Sequence, residues 1–240
     1  MTLEKSTYEC VSFTVLSSMA TVLSSMATST SRRSPLQPVW TFLNILACLG
    51  WSFVLFILLT GLFLESENGS LNNSLVDLQT PVLVLEAICV VEVFRILVGD
   101  LPGNAVLGVV LHLIRFVAIS EVLPRADEGH WTVNAVLVSW AITEVTRYPM
   151  YIFPSIEGLR SIRMVVPLFT FPAGCFSEGY GAYMVLTRDD TPLWLKAVLC
   201  GMLFVNGVLG PTMAYPALLK KGLPVLGLIK KKDKGEKKSD

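Results

Sequence analysis

Residues 140–178 read WAITEVTRYPMYIFPSIEGLRSIRMVVPLFTFPAGCFSE. Two apolar runs lie here, each long enough to cross a bilayer, joined by a short loop with Glu157 and Arg160. The runs carry Glu144, Arg147, Tyr148, Tyr151, Arg163 and Glu178. Ionisable groups at membrane depth are costly unless paired or solvated, so they mark functional sites by default. Glu144, Arg147, Tyr148 and Tyr151 fall at i, i+3, i+4 and i+7, one stripe of a helix that can face a bundle interior. In the second run Phe171 and Glu178 are seven residues apart, or about 10.5 Å of helical rise. Pro172 frees a backbone carbonyl between them and Gly174 removes a side chain, which together predict a pocket beside Glu178. A carboxyl in such a pocket suits proton transfer.

Outward from this stretch, the whole chain is apolar. Of its 240 residues 52% are hydrophobic and 16% charged, with a mean hydropathy of +0.60, beyond the apolar content of ordinary soluble domains. Six spans, at about 40–64, 80–98, 104–123, 132–153, 164–187 and 193–219, predict an all-α fold, a polytopic membrane bundle of six transmembrane helices. Lysines plus arginines equal aspartates plus glutamates at 19 each, so no bulk basic field points to nucleic acid. Arg32, Arg33, Arg160, Arg163 and the terminal lysines all fall on one side of the six spans. The positive-inside bias makes that side cytosolic, with both termini on it. Asn68 and Asn72 head two N-x-Ser sequons in the first lumenal loop.

The flanks are polar. Residues 1–36 read as a disordered Ser/Thr-rich extension with TVLSSMA repeated at 14–20 and 21–27. Residues 37–222 form the membrane domain, and 223–240 a Lys-rich cytosolic tail suited to anionic lipid heads. Its end, KKSD, resembles the dilysine retrieval signal of endoplasmic reticulum membrane proteins.

Several chemistries are excluded. Cys89 and Arg95 have the phosphatase spacing of Cys, five residues, Arg, but CVVEVF has no glycine, and a membrane helix has its N–H groups already bonded. Glu92 would also sit where a phosphate dianion belongs; its expected role is a local pair with Arg95. The five cysteines lie far apart and His112 and His130 lack supporting ligand spacing, so neither disulfides nor a metal site follow. No nucleotide loop or Ser-His-Asp motif occurs.

The pattern Trp140, Glu144, Arg147-Tyr148, Arg163, Pro172, Gly174, Glu178 resembles the very-long-chain 3-hydroxyacyl-CoA dehydratases, also called protein tyrosine phosphatase-like proteins. Asn44 with Gly50-Trp51 resembles that family's first span, and Arg115 falls at an arginine of its third. The chain departs from the family pattern where Phe171 replaces the Tyr of the proposed catalytic pair, Met164 a Tyr after Arg163, Leu111 a Gln and Cys89 a His, and a Gly of the family's second span is also missing. The resemblance implies loss of water from a very-long-chain 3-hydroxyacyl-CoA to give the trans-2-enoyl-CoA, without metal or redox cofactor. It also implies the endoplasmic reticulum membrane and elongase enzymes as partners. Glu178 is then the proton-transfer group, and Arg147 and Arg163 either fix carboxylates or contact CoA. Tyr148, Tyr151, Tyr180 or a water held by Glu178 would supply the hydroxyl that Phe171 lacks. A paralogue that binds acyl-CoA or elongase enzymes without turnover is the alternative. A small transporter would also explain buried charge, but the spans show no strong repeat and no paired broken helices.

Overall fold

The uncharged run 40–64 has no charged face to present to water, and it lies within one long helix, α1, Gln37–Asn68. Ala47, Trp51, Val54 and Leu58 form its buried stripe, while Phe42, Phe53 and Phe56 on other faces are exposed by more than half. Large apolar side chains all round a helix, with only one stripe packed on protein, indicate that lipid covers the rest.

The protein is described here from a computed structural model, which covers residues 36–68, 74–101, 104–125 and 131–228. Two compact units divide the chain, 1–40 and 41–240; of the first only residues 36–40 are described, the opening of α1. The repeated heptad, the sequon at Asn72, His130 and the KKSD end lie outside the described residues.

After α1 come α2 (Ser74–Leu97), α3 (Ala105–Val117), α4 (Trp131–Ile152), α5 (Glu157–Val165), α6 (Pro167–Leu186), α7 (Leu193–Phe204) and α8 (Tyr215–Gly222). A π-helical turn, Ala118–Val122, and a 3₁₀ turn, Leu123–Arg125, extend α3. A π-helical segment, Val205–Ala214, joins α7 to α8, so that residues 193–222 make one continuous rod. Among the described residues there are no strands. Three helical stretches, Gln37–Gly61, Ala105–Arg125 and Leu193–Gly222, are each long and apolar enough to cross a membrane. The other three long helices, α2, α4 and α6, carry the carboxylates of the site, and Ala105–Arg125 adds His112 and Arg115.

The expected loop around Glu157 and Arg160 is instead a helix, α5. Glu157 in its first turn and Arg163 in its last complement the helix dipole, and none of its side chains is buried. Arg163 therefore stands one helix before the apolar run in which the sequence reading placed it. That run begins at Pro167, where a missing N–H costs nothing in a first turn.

The most extensive contact in the bundle is between α4 and α6. Gly174 makes it possible, because a Cβ there would lie 2.8 Å from Ser139 Oγ on α4. The Ser139 hydroxyl donates to the Thr170 carbonyl at 2.6 Å, and the Thr143 and Thr170 hydroxyls share a bond of 2.7 Å. The sequence reading gave Gly174 the task of opening a pocket. It serves close approach instead, and the cavity lies along another face of α6.

Candidate functional site

Helical spacing aims a row of polar groups from α2, α3, α4 and α6 at one another. On α4, Trp140, Glu144 and Tyr148 follow at steps of four, and all three are buried. Glu86 on α2 is fully buried and takes two partners from α3: His112 Nδ1 at 2.5 Å from Oε1, and Arg115 Nη1 at 3.3 Å from Oε2. The same Arg115 nitrogen reaches Glu144 Oε1 at 2.8 Å. Arg147 continues the chain, with Nη2 at 2.6 Å from Glu144 Oε2 and Nη1 at 3.4 Å from Glu92 Oε2. Its Nη2 also donates to the Tyr148 hydroxyl at 3.2 Å, which shares a 3.1 Å bond with Cys89 Sγ. Alternating carboxylates and guanidinium groups leave each charge with an opposite neighbour, the condition for ions in low dielectric.

Trp140 links this network to Glu178. Its ring lies under the Arg115 guanidinium, 5.0 Å from centroid to carbon, a cation–π arrangement. Its indole N–H donates to Glu178 Oε1 at 2.6 Å. Asn206 Nδ2 donates to the other oxygen, Oε2, at 3.1 Å. Glu178 is thus a buried carboxyl with an N–H donor on each of its two oxygens.

Asn206 also faces a cavity of about 510 Å³ between α6 and the rod of α7 and α8. Phe171, Pro172, Cys175, Gly179, Tyr180 and Tyr215 contribute to its mostly apolar wall. Phe171 stacks on Tyr215, rings nearly parallel at 4° and centroids 6.4 Å apart. The carbonyl that Pro172 frees is that of Leu168, four residues back. The Tyr215 hydroxyl donates to it at 3.2 Å.

The remaining sequence candidates take definite places. Arg147 fixes carboxylates. Arg163 lies over the Tyr151 ring at 4.9 Å and donates to Met150 Sδ at 3.4 Å; among the described residues it meets no carboxylate. Glu92, expected to pair locally with Arg95, meets Arg147 of α4 instead. Tyr148 is eight residues past Trp140, or about 12 Å along α4, so its hydroxyl serves Arg147 and Cys89 rather than Glu178. Tyr151 packs edge-on against Tyr148. Tyr180 is 40% exposed and stacks on Trp131 and Phe176 at the outer surface. Asn44 is buried in α1. The imidazole beside Glu86 comes from His112 across the helix pair, not from the position of Cys89.

Sequence reasoning missed Asn206, Tyr215 and the contact between His112 and Glu86. A single asparagine in the last apolar span was the available signal for the first, since a lone amide at membrane depth needs a partner. Among the described residues, no three His, Cys, Asp or Glu side chains converge as a metal site would require.

Among the described residues, an all-helical bundle with lipid-compatible helices, and a buried carboxyl whose partner Asn206 lines an apolar cavity, is the class of protein these features define. The chain belongs to the protein tyrosine phosphatase-like protein family, PTPLA, whose model matches residues 86–218. It is 26% identical over 160 residues to "Very-long-chain (3R)-3-hydroxyacyl-CoA dehydratase 1" of Canis lupus familiaris, across 63% of this chain and 62% of that protein. The match therefore spans less than two thirds of the relative's length. No solved structure matches the chain.

Proposed function

We propose that this protein is a dehydratase acting on very-long-chain 3-hydroxyacyl-CoA in fatty acid elongation, with Glu178 as the proton-transfer group. One observation carries the reading: a buried carboxyl held by Trp140 and Asn206 stands beside an apolar cavity whose wall includes Asn206 itself. Elimination of water needs a base for the proton next to the thioester carbonyl and an acid for the departing hydroxyl. Glu178 takes the proton from C2, and the C–H electron pair moves onto the thioester carbonyl oxygen and then returns to form the C2=C3 double bond as the C3–O bond breaks. The departing oxygen takes a proton from the Glu178 carboxyl and leaves as water. One carboxyl used in both directions balances the reaction without a hydroxyl at position 171, at a lower rate than a pair would reach.

The acyl chain occupies the apolar cavity between α6 and the α7–α8 rod. Arg163 on α5, together with Arg160, Lys220 and Lys221, stands at the end where α5 meets α8. These cations suit the phosphates of CoA. Six crossings, formed by α1, α2, α3, α4, α6 and the α7–α8 rod, put this end and both termini in the cytosol. The endoplasmic reticulum membrane is the expected location of this reaction, and the elongase enzymes are the expected partners. The inactive paralogue is the second reading, and Phe171 is the observation that favours it.

The test is conversion of long-chain 3-hydroxyacyl-CoA to the 2-enoyl product by microsomes that carry the natural protein, with Glu178→Gln as the blank. The glutamine keeps shape and insertion but cannot accept the proton, so turnover should vanish. Equal turnover by both proteins rejects Glu178 as the base; acyl-CoA binding without turnover selects the paralogue.

A further inference from the structure

We infer that Asn206 binds the thioester carbonyl oxygen of the substrate while it holds Glu178, so that one amide ties the base to the group it acts on. This rests on the dehydratase reading above. Removing a proton beside a thioester moves negative charge onto the carbonyl oxygen, and a donor aimed at that oxygen is usually among the larger contributions to such a step. The donors around Glu178 are nearly all committed. The Trp140 N–H is on Glu178 Oε1 and the Ser139 hydroxyl on the Thr170 carbonyl. Thr143 and Thr170 bond each other, and the Tyr215 hydroxyl is on Leu168.

Asn206 differs. Its amide nitrogen carries two hydrogens, one of which goes to Glu178 Oε2 at 3.1 Å. The side chain is 7% exposed and lines the cavity, so the second hydrogen is available to a ligand lying there. Its backbone setting is also unusual, one residue into the ten-residue π-helical segment Val205–Ala214. Segments of this kind break the regular helical register and occur often at functional sites. With the carbonyl oxygen on Asn206, C2 stands next to Glu178 Oε2. The charge that develops on oxygen as Glu178 takes the C2 proton is stabilised there, and it returns to expel the C3 hydroxyl, which leaves as water with that proton.

The probe is trans-2-hexadecenoyl-CoA, the elimination product of a 16-carbon substrate, bound to the purified full-length protein in lipid nanodiscs. A hydrogen bond to the enoyl carbonyl shifts the enoyl-thioester absorbance to longer wavelength, a signature that packing alone does not produce. The natural protein should show the shift. Asn206→Leu should bind within about threefold of the natural affinity but lose the shift, and should lose about 10²-fold in kcat with KM nearly constant. Asn206→Gln, which keeps the amide, should recover part of both.

Thermal unfolding in detergent reads folding separately. If Asn206→Leu fails to fold, Asn206→Ala takes its place, since it has no donor for either Glu178 or the carbonyl. A natural protein that binds the probe without a shift, or an Asn206→Leu (or Ala) protein that keeps the shift, overturns the inference while leaving the dehydratase reading standing. A natural protein that does not bind the probe overturns both.

Discussion

Phe171 and Tyr215 stack with nearly parallel rings in the wall of the cavity between α6 and the α7–α8 rod, so a hydroxyl added at position 171 would change chemistry more than shape. A positioned proton donor contributes about 10² to 10⁴ in rate. Phe171→Tyr adds one oxygen in a wall that already accommodates the ring, and it should raise dehydration of 3-hydroxyacyl-CoA at least about tenfold, the low end of such a contribution. Matched microsomes carrying each protein provide the comparison, with substrate binding little changed. Strong natural turnover that Phe171→Tyr leaves unaltered would show that Glu178 needs no hydroxyl here. Arg147 tests the buried network at the same scale. Glu144 retains Arg115 when Arg147 is removed, whereas Glu92 loses its partner. Removing one member of a buried pair costs about 3 kcal/mol, so Arg147→Ala should lower the thermal midpoint in detergent, and adding Glu92→Gln should recover part of the loss. No recovery would mean that Glu92 is solvated rather than stranded.

At the scale of elements, the contact between α4 and α6 sets the distance between Trp140 and Glu178, and Gly174 sets that contact. Gly174→Ala would press a methyl group to 2.8 Å from Ser139 Oγ. That hydroxyl is held on the Thr170 carbonyl, so it cannot turn aside without losing a bond. Overpacking of this kind costs about 1–3 kcal/mol. Unfolding of Gly174→Ala should be easier than that of the natural protein, and Ser139→Ala in the same chain should relieve the clash. If the single variant unfolds at the natural temperature, the two helices are not held at the observed separation. The same logic applies where α8 meets α5, because a Cβ at Gly222 would lie 2.7 Å from the Met164 carbonyl oxygen. A backbone atom cannot swing away as a side chain can.

For the whole molecule, sidedness decides whether CoA can reach the site. The proposed six-crossing arrangement would put α5 in the cytosol, together with Lys220 and Lys221. A glycosylation tag inserted between residues 155 and 162 should remain unmodified in microsomes, and a tag in the loop after α1 should be modified. A modified tag in the α5 segment would reverse the orientation and remove the route for the CoA phosphates.

Composition and the period of the apolar runs were enough for an all-α membrane-type chain, because a long uncharged helix has only lipid or protein to contact. The stripe of Glu144, Arg147, Tyr148 and Tyr151 was likewise legible, since four residues at helical spacing share a face whatever surrounds them. Which charge meets which was not legible. Glu92 turns to Arg147 rather than Arg95, and His112 reaches Glu86 from another helix, because those distances depend on how α2, α3 and α4 pack. Gly174 read as part of a pocket beside Glu178, and only the approach of Ser139 revealed a close contact there. Asn206 and Tyr215 lie 28 and 37 residues beyond Glu178 in the chain. Spacing carries no information over that range, and the packing of α6 against the α7–α8 rod brings them to the site.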